Sequence, residues 1–366
     1  MKKEPLYKVI YDSLKTKILN GTFPFNSQLP TEKELSDQYK VSRITSKRAL
    51  NDLAEEGYIK RISGKGSFVI LEKQPLAKTF NITLLLPFFK NAGLEQYVQG
   101  ISDCLKSTPF QLTIHYTQED PLKQRQLIHS LSKETCDGLI LYPDFPSTLV
   151  DLVYNLYLDD LPIVLLDKEL VGLPVPVISS ANFQGGYEAT VYAIRQGHKK
   201  ILFFSLASLL ENTAVKNRYL GYLKALHEYN IKLDIGPYLN DRPLTMDQNQ
   251  LIQSFLETTK KQGYTCIFVE HDVLAMELIS TAANMGWDIP TDMSFIGFDD
   301  ISLARMITPK LTTVKQDFYQ IGYTATEILL SMIADSAKKD TLRSIEVSAK
   351  LRVRESVQTK YEAKRD

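Results

Sequence analysis

The sequence predicts an α/β protein in two parts: a small helix-turn-helix head ending in a β-hairpin, then a two-lobed, doubly wound α/β body with parallel strands. Three observations carry this reading. Residues 29–69 (LPTEKELSDQYKVSRITSKRALNDLAEEGYIKRISGKGSFV) read as two short helices with a tight joint, followed by a hairpin whose tip is basic and glycine-rich. From residue 82 onward, short apolar runs alternate with helical stretches, as parallel strands do with the helices that cross between them. The zero net charge hides an asymmetry. Residues 1–70 hold thirteen Lys and Arg against eight Asp and Glu, net +5, and the remainder hold thirty against thirty-five, net −5. A basic head on an acidic body is the footprint of a nucleic-acid reader with a separate control module.

At 366 residues the chain has room for two or three domains of about 100–200 residues. It has no run of about 18 apolar residues, so no membrane span is expected. MKKEPLYKVIYDSLK carries no unbroken apolar core and no small-residue cleavage site, which predicts a cytoplasmic protein. Cys104, Cys136 and Cys266 are odd in number and far apart, fitting buried thiols in a reducing compartment and no metal site. GxSxG, HExxH and P-loop patterns are absent, Gly185-Gly186 lacks the lysine of a phosphate loop, and His198 stands alone. The expectation is no catalytic residue, no cofactor and no enzyme activity.

Taken in order, Leu6, Val9, Ile10, Leu14, Ile18 and Leu19 have the spacing of one helix face over 5–20, with Gly21 as its stop. Thr31 is placed to cap the next helix, with Glu34 reaching back in a capping box. Tyr39-Lys40-Val41 makes the turn and Ser42 is a second N-cap. Arg43 and Lys47 crowd the opening turns of the second helix with Thr45, where cations oppose the macrodipole. A polyanion in front of that helix end explains them. Ala49, Leu50 and Leu53 point inward, with Arg43, Lys47, Arg48 and Asn51 outward, and Gly57 ends the helix. The hairpin strands at 58–62 and 67–70 flank Ser63-Gly64-Lys65-Gly66.

In the body, strands are expected at 82–87, 111–116, 137–142, 162–166, 200–204, 266–269 and 294–297. Helices are expected at 94–105, 121–132, 147–158, 215–229, 246–262 and 273–286. Ligands in such folds bind at the carboxyl ends of the strands. There Asp167 directly follows IVLL, Asp299 directly follows FIGF, His271 follows CIFV by one residue, and Arg218 is expected to open a helix. A guanidinium fork and carboxylates suit the vicinal hydroxyls of a polyol. Phe88, Phe89 and Tyr142 near the cleft mouth are placed to stack on a sugar ring. The competing reading is that the aspartates cap loops and Arg218 pairs internally. Asp272 reads as the N-cap of the following helix.

Residues 5–70 resemble the winged-helix domain of the GntR family of bacterial transcription regulators, through PLY, LPTEKELS, VSR, ALNDLAEEGYI and GKGSFV in order. The resemblance implies DNA contacts from Lys33, Ser42, Arg43, Thr45, Lys47, Gly64 and Lys65. Ile44 stands where a polar threonine is usual, and is open to touch a thymine methyl. Ser46 stands where the family buries an apolar residue, which predicts a poorer core. Residues 80–356 resemble the effector domain of LacI/GalR-type repressors, akin to periplasmic sugar-binding proteins. The matching marks are CDGLIL, LPIVLLD, QGHKKI, NRYLGY, HDVLAMELI, GWDIPTDMSFIGFDD, PKLTTVKQD and LRVRES. The pairing of head and body resembles the arabinose-repressor subgroup.

This second resemblance implies effector contacts at Asp167, Arg218, His271 and Asp299; Phe88 and Tyr142 join them as the aromatics read near the cleft mouth. Histidine at 271 departs from the usual asparagine. The implied layout is a winged-helix domain at 1–71, a linker at 72–79, an effector domain at 80–356 and a polar tail at 357–366. The implied function is a homodimeric repressor of arabinose or related sugar-utilisation genes. It would bind a pseudo-palindromic double-stranded operator and leave it when sugar fills the cleft. Alternatives of the same architecture sense a purine or phosphosugar, or activate in response to sugar.

Overall fold

The computed structural model describes residues 5–19, 22–70, 78–87, 93–233, 248–341 and 343–360. The chain divides into two compact units, residues 1–77 and 78–366.

In the first unit α1 (Leu6–Leu19), α2 (Glu32–Tyr39) and α3 (Arg43–Glu55) precede a hairpin of β1 (Ile59–Ile62) and β2 (Gly66–Val69). Both caps form as their residues dictate. Glu34 N–H donates to Thr31 Oγ1 at 3.3 Å while Thr31 N–H donates to Glu34 Oε2 at 2.7 Å, and Ser42 Oγ accepts from Thr45 N–H at 3.2 Å. Lys40 ends α2 in the left-handed region at φ 53°. Ile10, Leu14 and Ile18, one turn apart, pack with Leu29, Leu35, Ala49, Leu50, Leu53, Ile59 and Val69 into one core. The expected face of α1 is narrower than its apolar spacing implied. Leu6 is 61 % and Val9 40 % exposed, since Leu6 lies a turn before the core begins and Val9 sits about 100° around the helix from Ile10. Ser46 is fully buried and its hydroxyl has no hydrogen-bond partner among the described residues, so the core is poorer there, as expected. The hairpin pairs Ile59 with Val69 and Ile62 with Gly66, and Gln28 Nε2 braces its tip by donating to Lys65 O at 3.0 Å.

The second unit holds two sheets. The first is built from β3 (Asn81–Leu86), α4 (Leu94–Leu105), β4 (Gln111–Tyr116), α5 (Pro121–His129), β5 (Gly138–Leu141), α6 (Val150–Leu158), β6 (Ile163–Leu166) and β7 (Val177–Ser180). The second follows with α7 (Asn182–Arg195), β8 (Ile201–Phe204), α8 (Thr213–Glu228), α9 (Gln248–Lys261), β9 (Cys266–Val269), α10 (Asp272–Asn284), β10 (Ser294–Asp299) and β11 (Thr312–Lys315). The chain then returns to the first lobe with α11 (Phe318–Ala334), adds β12 (Ile345–Val347) beside β7, and crosses back to place β13 (Lys350–Arg352) beside β11. Strand orders are β12-β7-β6-β5-β3-β4 and β13-β11-β10-β9-β8, parallel throughout except for β13. Apolar clusters cover both faces of both sheets, as doubly wound folds require.

The pattern of alternating runs missed β7, α7, β11, α11 and the two short final strands. The expected helix at 147–158 is instead a 3₁₀ turn at Pro146–Thr148 followed by α6. Gly186 belongs to the packing of α7 on α8. A Cβ there would lie 2.2 Å from Arg218 O, so only glycine lets the two helices approach this closely.

Candidate functional sites

On the first unit, the opening of α3, the start of α2 and the hairpin frame a single groove. Lys33, Arg43, Lys47 and Gly64 line it together. Ser42 is committed to capping α3 and its Oγ lies 2.8 Å from Thr45 Oγ1, while Lys65 sits exposed at the hairpin tip. Ile44 is 80 % exposed on the first turn of α3, an apolar side chain set among cations. The sequence reading missed Arg61, which also lines the groove. It donates to Asn51 on α3 and pairs with Glu32 on α2, tying the hairpin to both helices. Asn51 is exposed, as expected, and also accepts from Arg61. No spacing rule marks such a residue, because its partners come from two other elements.

On the second unit, the carboxyl ends of both sheets enclose a cleft of about 220 Å³. Tyr142, Asp167, Arg218, His271 and Asp299 all line it. Phe88 and Phe89 lie outside the described residues. Asp167 (φ 66°), Asp299 (φ 126°) and Asp300 (φ 58°) hold left-handed backbone at the strand ends, a conformation that costs of order 1–3 kcal/mol per residue and collects at functional sites.

Arg218 lies in the second turn of α8, not at its opening, because α8 starts earlier at Thr213. It is 4 % exposed; its Nε donates to Asn182 Oδ1 at 2.8 Å and its Nη1 to Glu270 O at 2.5 Å. Its guanidinium carbon stands 3.8 Å from the centre of the Phe298 ring, and Nη1 is 3.9 Å from Asp299 Oδ1. It thus pairs internally and faces the cleft at once. Gln316 Nε2 donates to Asp299 Oδ1 at 2.6 Å. Burial pushes the Asp299 carboxyl above its ordinary range, against the opposing pull of Arg218 and His271.

Tyr142 Oη donates to Asp167 Oδ2 at 3.4 Å, and the Lys168 ammonium lies 4.7 Å from its ring centre. One face of that ring is occupied by a cation, so the hydroxyl edge, and not only stacking, is what Tyr142 presents. Burial lowers Lys168 and raises the phenols of Tyr142 and Tyr97 well above their usual range, keeping both as neutral donors. Among the described residues, three buried polar atoms around the cleft have no hydrogen-bond partner: Tyr97 Oη, Asp167 Oδ1 and Gln316 Oε1.

The cap of α10 corrects the expectation for Asp272. His271 is the N-cap, its Nδ1 accepting from Leu274 N–H at 3.1 Å, which leaves Nε2 3.8 Å from Glu270 Oε1. Asp272 is fully buried behind the cleft, because the short strand-to-helix turn swings the residue after the cap inward. His198 is buried elsewhere, between Thr265 Oγ1 at 2.8 Å and Gln358 O at 2.9 Å, and burial pushes it down to about 4.

Sequence reading missed Tyr97, Lys168, Asn182, Glu270 and Gln316. Gln316, just after β11, and Asn182, the first residue of α7, sit at two crossings between the lobes, and the run pattern detected neither element. Glu270 fixes the loop after β8 by accepting from Ser205 Oγ at 2.6 Å and Leu206 N–H at 3.0 Å.

Chemically, the cleft offers Arg218 and Lys168, the carboxylates of Asp167, Asp299 and the already engaged Glu270, and neutral donors and acceptors, in a space smaller than the roughly 300–1,000 Å³ of pockets for drug-sized ligands. That suits a neutral, hydroxyl-rich ring of monosaccharide size. A phosphate beside Arg218 would face Asp167 and Asp299.

Residues 6–69 match the gntR family of bacterial regulatory proteins and residues 191–357 match a periplasmic binding protein-like domain. The arabinose metabolism transcriptional repressor of Geobacillus stearothermophilus is 26 % identical over 90 % of this chain and 91 % of its own length. The HTH-type transcriptional repressor PurR of Photobacterium profundum is 31 % identical over 76 % of this chain and 81 % of its own. Among solved structures, a LacI family regulator from Enterococcus faecium with bound ribose aligns over 77 % of this chain and all of its own, with TM-score 0.62 and 23 % identity. The CelR–cellobiose complex aligns over 90 % and all of its own, with TM-score 0.66 and 18 % identity. Both structures speak to the fold.

Proposed function

Because this chain belongs to the bacterial transcriptional regulators that join a GntR-type winged helix to a LacI/GalR-type effector domain, we propose that it is a sequence-specific repressor of arabinose or related sugar-utilisation genes, released from DNA when the sugar fills the cleft. The observation that carries the sugar reading is the set of unpartnered atoms on Tyr97, Asp167 and Gln316 around Arg218. Buried polar groups are rarely left unpaired, and a polyhydroxyl ring supplies donors and acceptors to all three. Relatives named as arabinose metabolism repressors, matched over nearly their whole length, support the same class. The cleft volume favours a monosaccharide over a disaccharide such as the one bound in the CelR complex.

The protein acts in the cytoplasm as a homodimer, without catalysis of its own, each head reading one half-site of a pseudo-palindrome. Arg43, Ile44, Thr45 and Lys47 approach base edges. Lys33, Ser42, Gly64 and Lys65 lie along phosphates. Sugar bound by Asp167, Arg218, His271 and Asp299 draws the lobes together and alters the exit toward residues 72–79, taking the heads out of register. A strong switch needs the sugar to prefer the released state by several kcal/mol.

A thermal-shift screen of the full chain against L-arabinose, other pentoses and hexoses, their phosphates and purines tests the ligand class, because a ligand of the folded state raises the melting temperature. A neutral monosaccharide is expected to shift the protein and to release labelled operator DNA. A shift from purines or sugar phosphates alone refutes the reading.

A further inference from the structure

Asp272 forms no part of the cleft lining, and its side chain is wholly inside the protein. Its carboxylate nevertheless holds the frame of the site. Oδ2 accepts from Ile301 N–H at 3.0 Å, and Oδ1 accepts from the Thr313 hydroxyl at 2.5 Å. Oδ1 also presses on β10 at Gly297, where an added Cβ would lie 2.2 Å from it. Gly297 and Ile301 bracket Asp299 and Asp300, the two left-handed residues that end the strand. Asp300 has its own anchors in Arg305, at 2.9 Å, and Arg354. Asp272 grips both sides of the remaining turn, the part that carries Asp299 into the cleft.

We propose that Asp272 is a positioning residue for effector binding, acting by holding the strained turn that presents the Asp299 carboxylate beside Arg218. A buried carboxylate is costly unless it is hydrogen-bonded, and this one spends both oxygens on the elements flanking that turn. Burial and the neighbouring Asp299 charge push its carboxyl well above the usual range. Asparagine keeps the shape of this side chain, its carbonyl still accepting from Ile301 N–H. The inference rests on Asp299 as an effector contact.

The test is a double-mutant cycle on the full-length protein, titrated with L-arabinose, D-ribose and D-xylose and scored on whichever binds the wild type. Asp299→Ala alone tests the underlying contact. Asp272→Ala is expected to weaken sugar binding about tenfold, to add nothing to the loss of Asp299→Ala, and to leave sugar-free operator affinity unchanged. Asp272→Asn is expected to bind within about threefold of wild type. Thr313→Val, which keeps its shape and loses one donor, is expected to give a smaller loss that again vanishes on Asp299→Ala, and it carries the test if Asp272→Ala does not fold. Normal sugar binding in Asp272→Ala, or losses that add to that of Asp299→Ala, overturns the inference while leaving the cleft assignment intact. Normal binding in Asp299→Ala, or no neutral monosaccharide bound by the wild type, overturns the cleft reading and this inference with it.

Discussion

Replacing Arg218 with methionine separates the two jobs that this side chain combines. Methionine keeps an apolar stem against the Phe298 ring and removes the guanidinium fork. Two buried acceptors, Asn182 Oδ1 and Glu270 O, lose their Arg218 donor, each costing about 1–3 kcal/mol if left unsatisfied. The melting temperature of the effector domain should fall accordingly. Sugar loses one or two hydrogen bonds to a charged donor, worth about 1.5–3 kcal/mol each, so its dissociation constant should rise by about ten- to ten-thousandfold. The winged helix folds around its own core, so operator affinity without sugar should be unchanged. Isothermal titration with L-arabinose and fluorescence anisotropy of labelled operator read the two effects separately. A variant that binds sugar within about threefold of wild type, or one that loses the operator while still folded, refutes the assignment of Arg218 to the effector.

Arg43→Ala should abolish specific operator binding in an anisotropy titration and leave sugar titration unchanged; unaltered operator affinity would remove α3 as the reading helix. Lys65→Ala should weaken binding to all sequences alike and reduce the slope of log affinity against log salt by about one, the mark of a lost phosphate contact. Ser46→Ala should stabilise the winged helix by about 1–2 kcal/mol in calorimetry, since it removes an unpaired buried hydroxyl and improves helix propensity; destabilisation would mean that the hydroxyl has a partner. Burial raises Asp299 above its usual value, so as pH falls its ionised form is lost earlier than that of an ordinary aspartate. Sugar affinity should therefore begin to fall at a higher pH than an ordinary aspartate would set. The stability contribution runs the other way, present at low pH and lost as pH rises through the raised value, and Asp299→Asn should flatten both profiles.

The winged helix was legible because its signals are local: caps three residues apart, a glycine where the hairpin turns, apolar residues one helical turn apart. In the body, the strands that read clearly are continuous apolar runs such as ITLLL and CIFV. β7 (VISS) and β11 (TTVK) were missed because hydroxyl side chains break the run, although every residue of β11 but the last is buried. Asp167 and Asp299 were found because doubly wound folds place ligands at strand ends. Tyr97, Asn182 and Gln316 were not, because each is brought to the cleft by the packing of elements far apart in the chain. Asp272 was misassigned because the sequence gives no sign of which of two adjacent residues, His271 or Asp272, turns outward to cap the helix.

The competing readings of Arg218, internal partner or effector contact, are compatible in one arrangement, since it pairs internally and still lines the cleft. Gly186 lets α7 approach α8 until a Cβ would overlap Arg218 O, which sets the backbone of Arg218 against the start of α7. From there its Nε reaches Asn182, the first residue after the chain crosses from one lobe to the other, and its Nη1 reaches the loop that opens α10. Gln316, holding Asp299 from the other side, sits at the return crossing. Arg218 is fastened to one crossing and the Asp299 carboxylate opposite it to another, so a sugar held by both would load the segments that join the lobes. Proteins of this fold need effector occupancy to bias a two-state element by differential contacts. In this chain Asn182 and Gln316, which the run pattern overlooked, tie those two crossings to Arg218 and Asp299.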